Sequence, residues 1–205
     1  FNHNNYGIWD ELLEKSAVLL TQAELEQLAC RFENEARIAL QNPPAGQQHN
    51  AYTANPRIAL NGLGIALNNP DLIEKSTLLG NPKPNELQKI YLAKTLLNLG
   101  HAKRALAWLQ SDFEKRFEYE QQHLIDTCYQ LLGDKKSQIA LRRTRYEQSP
   151  NQRNLAALLD IADAQERATL EAKAAEKAQA IDDFNSRVDA LIALKATVVA
   201  AEQVI

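Results

Sequence analysis

Two short strings constrain what this chain can fold into. Leu99-Gly100-His101 and Leu132-Gly133-Asp134 each interrupt a run of helical apolar spacing. A glycine placed just after a periodic run stops a helix, because it enters the left-handed backbone conformation at little cost. Before Gly100, residues 84–99 place Leu87, Ile90, Tyr91, Lys94 and Leu97 at i, i+3, i+4, i+7 and i+10, one face of a helix. After it comes a helix of ~10 residues carrying Ala102, Ala105, Leu106 and Leu109. Residues 116–132 form the next, and Asp134 caps another running to about Gln148. Ser149-Pro150 supplies an N-cap and a first-turn proline for a helix over 150–159. Helices at about 163–180 and 183–194 follow, with residues 197–205 helical as well.

The front of the chain is less regular. Tyr6, Trp9, Leu12, Leu13 and Leu20 predict a helix over 6–20. Thr21-Gln22-Ala23-Glu24 is a capping box, and Leu25, Leu28, Phe32, Ala36, Ala39 and Leu40 make the apolar stripe behind it. A polar, proline-bearing loop starts at Asn42-Pro43-Pro44. A helix over 56–68 follows, then a short one opened by Asn69-Pro70 and running to Leu79. Asn81-Pro82-Lys83-Pro84 is the second linker, so residues 1–80 read as irregular helical pairs and 81–205 as a more regular array continuous with them.

Composition supports an all-α chain. Leu and Ala dominate the sequence while Val is scarce, too poor a β-branched supply for sheets. The net charge of −3 gives no global reason to bind nucleic acid or an anionic membrane. No apolar run nears the ~18 residues that span a bilayer, and no signal-peptide pattern opens the chain. Cys30 and Cys128 lie far apart in helix-like runs, which predicts two buried, inert thiols in a reducing cytoplasm. Methionine is absent. That predicts an internal piece of a longer protein, or a sequence from which modified methionines have dropped out.

The step from Gly100 to Gly133 is close to the ~34-residue period of tetratricopeptide repeats. In that pattern a small residue falls five positions after the turn glycine and a proline seventeen after it. Ala105 and Pro150 fit, whereas Gln138 and Phe117 break the corresponding positions. The chain resembles a degenerate tetratricopeptide array, in which each hairpin stacks on the next because neither buries its apolar face alone. Tyr6-Gly7-Ile8-Trp9-Asp10, Ala105-Leu106-Ala107-Trp108-Leu109, Ile139-Ala140-Leu141-Arg142 and Leu155-Ala156-Ala157-Leu158-Leu159 extend the likeness. They resemble an uncharacterised family of bacterial helical-repeat proteins, with related repeats in SWIM-type zinc-finger proteins. The resemblance implies a right-handed α-solenoid of helical hairpins and assigns no activity. No cysteine–histidine zinc signature accompanies it.

Motifs for chemistry are sparse. Glu120-Gln121-Gln122-His123 puts a carboxylate and an imidazole on one helix face, but the second copy and further carboxylates of a di-metal site are missing. Gly62-Leu63-Gly64 lacks the third glycine of a dinucleotide fingerprint and follows no strand, so it reads as a place where another helix comes close. Lys135, Lys136, Arg142, Arg143, Arg145 and Arg153 form a basic run opposed only by Asp134 and Glu147. It could meet an acidic partner or phosphates, although a solvated outer face is the simpler reading because no aromatics interleave it. Trp9, Trp108, Phe113, Phe117, Tyr119 and Tyr129 could line a peptide groove, with inter-helix packing as the plainer alternative. Asn and Gln are abundant, a supply that suits a polar binding surface.

Residues 190–201 carry one charge, Lys195, and want cover from a following helix or a second copy. The expectation is an all-α, tetratricopeptide-like scaffold for a protein or peptide, without catalysis, cofactor, metal or membrane. Two rivals stand beside it: a helical segment of a larger enzyme, and a nucleic-acid binder using the 135–153 run.

Overall fold

The structure is a computed structural model and describes residues 12–42, 54–79, 81–149, 151–180, 182, 187 and 188. Among these residues every regular element is helical. The elements are α1 (Gln22–Gln41), α2 (Ala54–Ala66), α3 (Pro70–Leu78), α4 (Glu86–Asn98), α5 (Ala102–Leu109), α6 (Lys115–Leu132), α7 (Lys135–Gln148), α8 (Gln152–Ile161) and α9 (Ala164–Gln179). They fall into two compact units, Phe1–Leu132 and Gly133–Ile205, and the 81–84 linker lies inside the first. No described helix is long and apolar enough to cross a membrane.

Local chemistry explains most boundaries. At α1 the expected box is present: Glu24 N donates to Thr21 Oγ1 and Thr21 N to Glu24 Oε2. Thr21 N and Thr21 Oγ1 both donate to the Glu24 carboxylate, which holds its pKa below the ordinary value. A second box, unanticipated, opens α4, where Gln88 N donates to Asn85 Oδ1 and Asn85 N to Gln88 Oε1, both at 2.9 Å. Asp134 caps α7 by accepting from Ser137 N, and hydrogen bonding from the Ser137 side chain and backbone lowers its pKa.

Two boundary expectations need correction. The cap of α8 is Asn151, whose side chain accepts from Asn154 N at 2.9 Å, while Ser149 closes α7. An Asn offers the same acceptor as a Ser, and here it stands closer to the first turn. The expected helix over 6–20 does not run through to its end. Residues 12–14 are helical, and a 3-10 turn follows at Ser16–Val18, with Ser16 Oγ donating to Leu13 O. The earlier part of that helix, Trp9 and residues 197–205 lie outside the described residues, as does all of 183–194 save Arg187 and Val188.

In the first unit, α1 packs on α2, α2 on α3, α3 on α4, α4 on α5 and α5 on α6, with α4 also against α6. One apolar cluster, Leu25, Ala29, Leu60 and Leu63, lies between α1 and α2. A larger one joins α3 to α6 through Ile73, Ile90, Leu92, Ala93, Leu96, Ala105, Leu109, Leu124 and Cys128. The face of α4 differs from the expected one. Leu92, Ala93 and Leu96 are buried beside Ile90, whereas Leu87 and Tyr91 are exposed. Apolar and polar residues are scattered round the segment, so more than one helical stripe can be drawn on it, and packing against α3, α5 and α6 selects one.

Gly64 plays the part expected of Gly62-Leu63-Gly64. A Cβ added there would stand 2.7 Å from Ile73 Cγ1 and 3.1 Å from the Ile73 backbone nitrogen, so α3 crosses α2 too closely for a side chain. Gly64→Ala is expected to lower stability by about 1–3 kcal/mol through overpacking. A shift of the urea midpoint to lower concentration checks it, and an unchanged midpoint contradicts the crossing.

In the second unit α7 packs on α8. Leu155 and Leu158 of α8, Gln138 of α7 and Ala174 of α9 are buried.

Candidate functional site

Three of the turns between helices share one construction. Among the described residues three adopt the left-handed conformation: Asn68 at φ 48°, Gly100 at 85° and Gly133 at 69°. Each lies within two residues of the end of a helix and directly precedes the N-cap residue of the next: Asn69, His101 and Asp134. At the first two the backbone closes identically. Asn68 N donates to Ile65 O and Asn69 N to Gly64 O; Gly100 N donates to Leu97 O and His101 N to Leu96 O. These are Schellman closures, which satisfy the last carbonyls of a helix. The residue five positions beyond each turn, Ile73, Ala105 or Gln138, is buried.

Ion pairs in the first unit tie a helix to the next but one along the chain. Arg104 of α5 donates from Nε and Nη2 to the two Glu74 oxygens and reaches Asp71 at 2.6 Å, while Trp108 Nε1 donates to Glu74. The two carboxylates hold the guanidinium pKa above its ordinary value. Asn68 Oδ1 lies 2.9 Å from His101 Nε2, joining the first two turns. Lys94 Nζ of α4 donates to Glu120 Oε1 of α6 at 2.5 Å. Glu120 is thereby engaged by an ammonium, and His123 one turn away is exposed. The described residues hold no group of three or more His, Cys, Asp or Glu that could bind a metal.

A cleft of about 420 Å³ is lined by residues of α2, α3 and α4. Arg57, Ile58 and Asn61 line it from α2, Ser76 and Thr77 from α3, and Gln88, Tyr91, Leu92 and Thr95 from α4. Ile58 is 41% exposed and Tyr91 61% exposed, so both present apolar surface to solvent at its wall. Arg57 Nε donates to Ser76 O at 3.1 Å, one of the last carbonyls of α3. Its guanidinium is half-buried, and desolvation lowers its pKa. No carboxylate lines the cleft among the described residues.

Residues singled out by the sequence are spread more widely. Within the basic run, Arg142 is turned inward, donating from Nη1 to Ala157 O at 2.5 Å with Asp160 Oδ2 at 3.9 Å. Arg143 pairs with Glu166. Arg145 is half-buried, while Lys135, Lys136 and Arg153 are exposed. Of the aromatics, Trp108, Phe113 and Phe117 pack against the larger core, Tyr129 is half-buried and Tyr119 is exposed. Cys128 is buried as expected, but Cys30 is exposed, which corrects the expectation of two buried thiols. Cys30 falls beside the Leu25–Ala29–Ala36 face of α1, and one residue is enough to turn a helical side chain by about 100°. The cleft residues Arg57, Ile58 and Tyr91 escaped sequence reading. Tyr91 sat on the wrong stripe, and a lone Arg in a short helix carries no motif.

No family model, curated protein or solved structure matches the chain.

Proposed function

We propose that this chain is a non-catalytic scaffold that binds a protein or peptide in the cytoplasm, built as an α-solenoid of tetratricopeptide-like hairpins. The observation that carries the reading is the recurrence of one turn, a left-handed residue followed by an N-cap, at Asn68-Asn69, Gly100-His101 and Gly133-Asp134. Both steps along the chain are close to the ~34-residue period of a helical-hairpin repeat. In the first unit the packing order supports it: each helix contacts its sequence neighbour, and α4 also meets α6. A stack of this kind leaves one face of alternate helices uncovered, and on α2 and α4 that face carries the cleft. An exposed aromatic and an aliphatic beside polar amides and hydroxyls suit peptide recognition.

Affinity purification of the intact protein from cell extract, with Ile58→Asp alongside, tests the reading. Ile58 is already partly in water, so the fold should tolerate the substitution. The expected outcome is a defined set of proteins retained by the wild type, resistant to nuclease and lost from the variant. Identical sets from both proteins, or recovery that collapses with nuclease and falls steeply with salt, would sink it.

A further inference from the structure

Resting on the scaffold reading, we infer that the α2–α4 cleft takes an acidic side chain of a bound peptide, with Arg57 as its anchor. Three features of the cleft converge on a carboxylate. Arg57 spends Nε on Ser76 O, and that is its one hydrogen bond among the described residues, so its two Nη groups retain donor capacity at the cleft wall. A planar fork of this kind matches two carboxylate oxygens. Second, no Asp or Glu lines the cleft among the described residues, so nothing there neutralises the guanidinium. Desolvation already disfavours its charge, and an incoming carboxylate would relieve that cost. Third, the rest of the lining can complete the recognition of an acidic peptide. Asn61 and Gln88 offer amide donors, and Ile58 and Tyr91 offer apolar surface for an adjoining side chain.

The other charged groups near the cleft do not compete for this role. Lys94 lies 5.9 Å from the Tyr91 ring centre but is bonded to Glu120, so that pair is close to neutral. Elsewhere the cations are differently placed. Arg104 already holds two carboxylates, and Arg142 and Arg143 are engaged within the second unit.

The test is selection from a random dodecapeptide library displayed on phage, followed by affinity measurement with the enriched synthetic peptides. Wild-type protein should enrich peptides that carry Asp or Glu next to an aromatic or large aliphatic residue. Arg57→Gln keeps a donor for Ser76 O and should weaken those peptides at least tenfold, the scale of a lost charge-assisted hydrogen bond. Replacing the peptide's acidic residue by its amide should cost a similar factor with wild type and almost nothing with Arg57→Gln. Thermal melting of the variant separates this from a folding defect, and Asn61→Ala supplies a second cleft variant with a smaller loss. Enrichment without acidic preference, lost with Tyr91→Ala but unchanged by Arg57→Gln, overturns the anchor and leaves the scaffold standing. Failure to enrich any peptide counts against both.

Discussion

Leu96→Ala should cost about 2–5 kcal/mol of stability, whereas Leu87→Ala on the same helix should cost less than about 0.5 kcal/mol. Leu96 has no exposed surface and sits in the cluster with Ile73, Ala93, Ala105 and Leu109. Removing its three outer carbons opens a cavity whose walls belong to several helices and cannot all collapse inward. Leu87 is 43% exposed and its truncation leaves little behind. Chemical unfolding of both variants measures the contrast. The reverse order would mean that α4 buries the Leu87–Tyr91 face, and the cleft built on Tyr91 would vanish with it.

The two thiols should differ in reactivity by several orders of magnitude. Cys30 is exposed on α1 and should react with an aromatic disulfide reagent as an ordinary thiol does. Cys128 has no exposed surface, and burial pushes its pKa up to about 11 from an ordinary 9.0. Its thiolate is about a thousandth of the population at pH 8, and the reagent must also wait for the helices to open. The native protein should therefore titrate one thiol quickly and the second only in denaturant. Because the folded pKa lies above the unfolded value, the neutral Cys128 thiol contributes stability below pH 9.0. That contribution is lost as the pH rises toward about 11. Two fast thiols in the native protein would contradict the burial of α6 against its neighbours.

Much of the helical layout is legible in the sequence, because the signals that start and stop helices are local. Thr21-x-x-Glu24, Asp134 and the glycines at 100 and 133 act through backbone donors and acceptors within a turn of themselves. Their effect survives whatever packs outside them. The close approach at Gly64 is readable for a related reason, since a glycine held inside a good apolar helix needs a neighbour to justify its cost. The corresponding turn in the front half was harder to see. It uses Asn68 where the later turns use glycine, and a motif keyed to glycine passes over an asparagine that reaches the same backbone conformation.

The candidate site was the least legible part. Arg57 and Tyr91 stand far apart in sequence and belong to different helices, so no local spacing rule connects them. The basic run shows the converse: cations close in sequence are divided by the fold, Arg142 and Arg143 serving to join helices while Lys135, Lys136 and Arg153 face water.

What the chain determined by itself was where helices begin and end, because capping and helix termination are settled within about a turn of the boundary. Which side of each helix is hidden was decided only by tertiary structure. On a segment such as α4, whose apolar residues are scattered round the helix, the free energy of burial depends on the surface offered by α3, α5 and α6, and that surface exists only once they have met.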